Sequence, residues 1–285
     1  MKASNLSQVL QKFTHDRIHD YSFSNESAGN SSFPNLAVND EIKISIANNV
    51  IDRIEAYRLL YSVYVEKEFA TPNKSKMWFS LFDAHPDTVT FIAKENNVLV
   101  GAITVVFNSE MGLPANDLYA DEINEFITEG HKVAEIISLG IQKRARYAQK
   151  ILIKLFNFAY LAARGLHSVT DLIITVNPKH EPFYKRKLLF DMLGGNKCYE
   201  KVGGAEAVLL KLDLKKIEKL VDKIRLEKHP KKTIYQQFFK ASEKLELIKK
   251  IKKKLKPMTT KEMHYFFGKL PKVLECQFSE LAAQN

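Results

Sequence analysis

Tyr184 closes the run Val176-Asn177-Pro178-Lys179-His180-Glu181-Pro182-Phe183-Tyr184, whose residue types can carry acid chemistry. The run follows an apolar stretch predicted as a strand, Asp171-Leu172-Ile173-Ile174-Thr175, and opens a short helix. A tyrosine exposed just past a strand end has a pKa near ~10, above that of a thiol, so it can protonate a departing thiolate. Moving an acyl group from a thioester to an amine needs such a donor. The same run also reads as a strand, a proline-nucleated turn and a helix whose Phe183 and Tyr184 pack on a sheet. A second candidate is Glu135, set inside Val133-Ala134-Glu135-Ile136-Ile137-Ser138-Leu139-Gly140-Ile141. A carboxylate in an apolar strand is costly unless used or paired, so it either moves a proton or joins an ion pair with Arg58 or a lysine.

The elements that must position these residues follow from periodicity. Ile42-Lys43-Ile44-Ser45-Ile46 alternates as a strand, and a helix is predicted over about residues 51–69. Phe91-Ile92-Ala93 and residues 98–106 flank Glu95-Asn96-Asn97, a hairpin signal. A small helix over residues 117–126 precedes the strand of Glu135, and a Leu-, Phe- and Ala-rich helix over about 147–164 follows it. After the strand at 171–176 and the helix of Tyr184, Ala207-Val208-Leu209-Leu210-Lys211-Leu212 forms a last strand. The order is β-α-(β-β)-β-α-β-α-β, an α/β (α+β) domain with a mixed sheet and helices on both faces. Neither a G-x-G-x-x-G nor a P-loop sequence is present, against nucleotide-binding α/β folds.

Composition narrows the class. The chain has 285 residues, 45% of them apolar, enough for one large domain or a domain with an appendage. No stretch reaches the ~18 apolar residues that span a bilayer, and the N-terminal octet lacks the apolar core of a secretory signal. The two cysteines, Cys198 and Cys276, have no metal-ligand spacing, and the expectation is a reducing cytoplasm without structural zinc. A formal charge of +10 suits nucleic acid, an acidic carrier protein or an anionic membrane alike.

Four patches recur in order: Arg58-Leu59-Leu60-Tyr61-Ser62-Val63-Tyr64-Val65-Glu66; Gly101 through Gly112-Leu113-Pro114; Ala134-Glu135 with Ser138-Leu139-Gly140-Ile141; and Asn177-Pro178-Lys179-His180 with Phe183-Tyr184. With the element order, they resemble the long-chain N-acyl amino acid synthase (FeeM-like) group of the Gcn5-related N-acyltransferase superfamily, relatives of acyl-homoserine lactone synthases. The resemblance spans residues 41–213, leaving an N-terminal arm and linker at 1–40 and a helical extension at 214–285. It implies a mixed, mostly antiparallel central sheet and an acyltransferase without metal or redox cofactor. Its co-substrate would be an acyl-phosphopantetheine thioester on an acidic acyl carrier protein, or acyl-CoA, and its acceptor an amino acid or similar amine. Nucleic acid is not an expected partner.

Two departures refine this. Where coenzyme A-dependent relatives carry Arg/Gln-x-x-Gly-x-Gly/Ala, this chain reads Lys143-Arg144-Ala145-Arg146-Tyr147-Ala148. Arg146 at the first glycine position obstructs a backbone cradle for pyrophosphate, which favours the single phosphate of a carrier's arm. Lactone synthases carry arginine on the third strand; Thr104 here favours an amino acid over S-adenosylmethionine. The resemblance makes Glu135 the base, through a water, and Tyr184 the acid. The amides of Leu139, Gly140 and Ile141 would polarise the carbonyl. Arg144, Arg146, Tyr147, Ala148 and Asn177 would hold the donor, unless the loop is simply a solvated basic one. Arg58, read as facing the core side of its helix, either grips the acceptor carboxylate or pairs with Glu135. Tyr61, Tyr64, Phe69, Thr104 and His180 complete the substrate set, although aromatic stripes commonly belong to cores and a turn histidine to its loop.

Beyond Lys215 the composition turns to Lys and Leu, and helices packed on the α/β domain are expected. Leu245 to Lys256 sets Leu247, Ile248, Ile251 and Leu255 opposite a lysine face stopped by Pro257. That helix reads as a solvated face, a dock for an acidic carrier, or an anchor at the inner membrane surface. Other functions compatible with the sequence are acyl-CoA-dependent N-acyl transfer, lactone-type signal synthesis, and an acyltransferase-like domain that only binds.

Overall fold

A computed structural model describes residues 42–199, 205–226, 234–239, 241–268 and Phe278. The expected N-terminal arm and linker, Val202, Gly203 and Cys276 lie outside the described residues. Seven strands pair in one mixed sheet: β1 (Ile42–Ile46), β2 (Val89–Glu95), β3 (Val98–Phe107), β4 (Val133–Ile141), β5 (Asp171–Val176), β6 (Asp191–Tyr199) and β7 (Ala205–Asp213). Their order is β1-β2-β3-β4-β5-β7-β6. β4 and β5 run parallel, whereas β1/β2, β5/β7 and β6/β7 are antiparallel. The helices are α1 (Val50–Glu66), α2 (Asn116–Thr128), α3 (Ala148–His167), α4 (Glu181–Leu188), α5 (Leu214–Leu226), α6 (Ala241–Lys254) and α7 (Thr260–Phe267). Among the described residues, no helix is long and apolar enough to cross a membrane.

The chain forms two compact units. The first comprises the described residues up to Thr104, Ser138–Leu155 and the described residues from Lys250 onward. Its β2–β3 hairpin turns on Asn96 and Asn97, at φ 49° and 63°, the left-handed pair that a two-residue connection requires and asparagine tolerates. Asn49 caps α1 by accepting the Asp52 N–H. Tyr57, Phe79, Phe266 and Phe267 interlock, with Tyr57 5.3 Å from Phe79 and 5.2 Å from Phe266. Beside them the buried Arg53 pairs with the buried Glu262 and donates to the Lys256 carbonyl, tying α7 to α1.

The second unit comprises the described residues of Val105–Ile137 and Phe156–Lys249. Its core gathers Ile123, Val133, Leu172, Ile173, Leu209, Leu210, Phe190, Ile217 and Val221, all buried. β6 is an addition to the sequence reading. Its Gly194-Gly195-Asn196-Lys197 stretch resembles a loop, yet it pairs with β7 through two register shifts. Gly194 is needed there, because a Cβ would lie 2.6 Å from the Tyr119 ring. The Tyr119 hydroxyl donates toward the Gly195 and Ala207 carbonyls, so the ring cannot yield.

Candidate active site

Glu135 lies on β4 with 3% of its surface exposed. β4 keeps its ladder with β5 only through the pairs Val133↔Asp171, Ala134↔Leu172 and Glu135↔Ile173, although β5 continues to Val176. The carboxylate therefore stands at the last paired position, where the ladder opens. Three residues on, Ser138 turns to φ 51°, a left-handed kink inside a strand. The Gly112-Leu113-Pro114 turn, with Gly112 at φ 72°, brings the start of α2 over Glu135. There the Ala115 N–H donates to Glu135 Oε2 at 2.7 Å.

Burial pushes the Glu135 carboxyl up to about 8, while the Ala115 amide and the Thr175 hydroxyl pull it down and the Asp117 charge raises it further. Thr175 Oγ1 is buried and makes no hydrogen bond of ordinary geometry, so its effect on Glu135 is one of proximity. Tyr199 donates to Asp117 Oδ2 at 3.0 Å, and burial and the Asp117 charge hold its phenol well above the usual range. A backbone amide, rather than a cation, thus answers the buried carboxylate. With an affinity close to that of an α-amino group, it can accept a proton from an incoming ammonium. The sequence reading does not single out Ala115, Asp117 or Thr175. The turn that aims the Ala115 amide is the nearest signal, since an amide has no residue-type signature.

Tyr184 belongs to the same unit. Asn177 caps the turn Pro178–His180 by accepting the Lys179 N–H at 3.1 Å, and α4 follows at once. The Asn177 amide also reaches the Glu206 carbonyl on β7 at 3.3 Å. α4 ends at Leu189, φ 58°, where the Phe190 N–H returns to the Tyr184 carbonyl. The Tyr184 ring stands edge-on to Phe183 at 5.4 Å and to Phe190 at 5.8 Å. Burial pushes its phenol up to about 12, so the hydroxyl stays protonated over the working range of enzymes. The expected packing of the ring is present. His180 is half-buried in the capping turn.

The first unit holds the remaining candidates. Gly140 is buried under α1, where a Cβ would lie 2.9 Å from Leu60. Beyond Ile141, Gln142 accepts from Arg144 Nε at 2.6 Å, and Lys143 pairs with Glu66 at 3.8 Å. These residues line an open hollow of about 270 Å³ with Ser62 and Val63. Arg146, its guanidinium 5.1 Å above the Tyr147 ring, and Tyr147 and Ala148 are exposed at the start of α3. This end of the unit is cationic and open.

Placement differs from expectation for Arg58. It is exposed, and α1 buries Arg53 instead, because Glu262 supplies the countercharge there. Thr104 is fully buried, sharing a 2.9 Å hydrogen bond with Thr90. Tyr61 accepts from the Asn73 N–H at 3.3 Å, and Tyr64 packs 5.2 Å from Trp78 and 6.1 Å from Phe69, so these aromatics hold the segment after α1. Among the described residues, no three His, Cys, Asp or Glu side chains group closely enough to hold a metal ion.

Residues 55–213, more than half of the chain, match the family described as "N-acyl amino acid synthase FeeM". The solved structure of FeeM, an N-acyl amino acid synthase from uncultured soil microbes, is 26% identical. It covers 61% of this chain and 90% of its own, with a TM-score of 0.54. An N-acetyltransferase from Staphylococcus aureus Mu50 is 19% identical over 61% of this chain and 97% of its own, with a TM-score of 0.43. The acyl-homoserine lactone synthase LasI is 15% identical over 61% and 90%, with a TM-score of 0.45. No curated protein sequence matches the chain. The matched family is one of enzymes, against the reading of a domain that only binds. The match over residues 55–213 and the likeness to the solved FeeM structure agree: this chain is an N-acyltransferase and belongs to the FeeM N-acyl amino acid synthase family.

Proposed function

We propose that the enzyme moves a long acyl chain from the thioester of an acyl carrier protein to the α-amine of an amino acid, in the cytoplasm. The observation that carries this reading is Glu135: a buried carboxyl, raised to about 8, with one oxygen held by the Ala115 amide. As the carboxylate, it draws a proton from the acceptor's ammonium through a water, and the freed amine attacks the thioester carbon. The resulting tetrahedral oxyanion is received by backbone N–H groups of β4 at Leu139–Ile141. As the C–S bond breaks, the electron pair stays on sulfur and Tyr184 supplies its proton. The attacking nitrogen sheds its second proton to solvent as the intermediate collapses, the amide product and the free thiol of the carrier leave, Glu135 releases its proton to solvent and Tyr184 regains one from it.

Lys143, Arg144, Arg146, Tyr147, Ala148 and Asn177 are assigned to the donor's arm, with Arg146 favouring one phosphate over a pyrophosphate. Arg58, exposed on α1, is assigned to the acceptor carboxylate, with Tyr61, Tyr64, Phe69 and His180 assigned to shaping the sites, whereas Thr104, fully buried against Thr90, is left to the core. The test offers long-chain acyl carrier protein and acyl-CoA, each with a panel of amino acids. Free thiol is read optically and products by mass spectrometry. Thiol release from the carrier with an N-acyl amino acid is the expected result. Equal or better use of acyl-CoA would replace the carrier, and no amide from either donor would end the reading.

A further inference from the structure

A lysine face outside the family-matched residues remains unexplained by catalysis. Lys252 and Lys253, in the last turn of α6, and Lys256 and Lys261, just beyond it, are all exposed. Among the described residues, no carboxylate pairs with any of these four. They lie past residue 213, where the match to the synthase family ends.

The fold fixes this face. The Arg53 guanidinium donates to the Lys256 carbonyl at 2.7 Å, and the Asn48 amide donates to the Lys254 carbonyl at 3.0 Å. Arg53 is also paired with the buried Glu262, whose carboxylate closes the capping box of Thr259 at the start of α7. Four side-chain charges are thereby displayed on a pinned backbone. A solvated face needs no such pinning, and like charges this dense repel unless an anion answers them. Along the segment Ile251 is fully buried, Met258 is 8% exposed and Leu255 is half-buried, and a single leucine of α6, Leu245, stands open at 62%, too little for an apolar face. A helix that lies in a bilayer surface needs an apolar face open to lipid, which this segment lacks. A soluble, acidic protein surface suits it better.

We propose that the face formed by Lys252, Lys253, Lys256 and Lys261 docks the acidic surface of the acyl carrier protein that delivers the thioester. This rests on the carrier-dependent reading above and adds where the carrier is held. Docking of this kind speeds encounter and is screened by salt.

The test replaces Lys252, Lys253 and Lys256 with Glu and, separately, with Gln. Turnover is measured with acyl carrier protein and with acyl-pantetheine, which has the arm without the carrier. The expected result is a KM for the carrier raised about tenfold or more by Glu and less by Gln, with acyl-pantetheine kinetics unchanged. The wild-type KM for the carrier should also climb with salt, which reads the proposal even if the Glu variant fails to fold. An unchanged carrier KM in a folded variant overturns the dock and leaves the synthase reading intact. No thiol release from the carrier, with release from acyl-CoA, overturns the donor reading and the dock with it. Loss of binding to phosphatidylglycerol vesicles with unchanged carrier kinetics makes the face a membrane contact and overturns the proposal.

Discussion

The Ala115 N–H donates to Glu135 Oε2 at 2.7 Å, joining the first turn of α2 to the last ladder residue of β4 before the strands part. Two parts of the chain that are 20 residues apart therefore meet at one buried carboxyl.

Glu135→Gln keeps the acceptor for Ala115 and removes the proposed base. Turnover at saturating substrate should fall about 10²-fold or more. The wild-type rate should rise with pH to a plateau near about 8, and the variant should lack that limb. pH–rate profiles of both proteins decide this. An unaltered limb would remove Glu135 from the role of base.

The same shift bears on stability. The folded-state value, about 8, lies above the ordinary 4.5, so the fold favours the neutral acid. The cost of burying the anion is absent below 4.5 and grows until about 8. Glu135→Gln should then gain stability over wild type across that window, which denaturant titrations at acid and alkaline pH can read. A gain confined to acid pH would contradict the sign.

Tyr184→Phe removes the proposed proton donor while leaving the ring contacts to Phe183 and Phe190. Turnover with an alkyl thioester should drop about 10²-fold, and the loss should shrink with an aryl thioester, whose thiolate leaves without a proton. Equal losses with both leaving groups would reassign the residue to packing.

Arg53→Ala strands a buried Glu262 carboxylate, and about 3–5 kcal/mol of stability should be lost. The double change Arg53→Met with Glu262→Leu should recover much of it, as apolar pairs replacing buried ions commonly do. Equilibrium unfolding of the three variants tests the coupling.

Adjacent glycines on β6 give a paired control. Gly194→Ala drives a Cβ to 2.6 Å from the Tyr119 ring, and a loss of about 1–3 kcal/mol is expected. Gly195→Ala meets nothing within 4 Å and should be close to neutral. Similar melting shifts for both would refute the steric account.

Much of this architecture is readable from residue order. The Asn96-Asn97 pair marks its hairpin, and β4 runs from Val133 to Ile141 as the apolar stretch predicts. β6 escapes because glycines, an asparagine and a lysine carry no strand periodicity, and only pairing with β7 makes it extended. Arg53 escapes because apolar residues surround much of α1, so the pattern does not say which arginine is buried. Its partner lies 209 residues away. Glu135 is visible as an odd carboxylate in an apolar strand, whereas the amide that holds it depends on a turn and leaves no trace in composition.

β6 has a consequence for the molecule among its copies. As the outermost strand it ends the sheet, and a straight outer margin would offer amides to any neighbouring chain. Two breaks in register, paired glycines and a lysine roughen that margin, so a second molecule finds no regular template to extend. The irregularity that conceals the strand in the sequence thus guards a concentrated solution of the protein against fibrillar stacking.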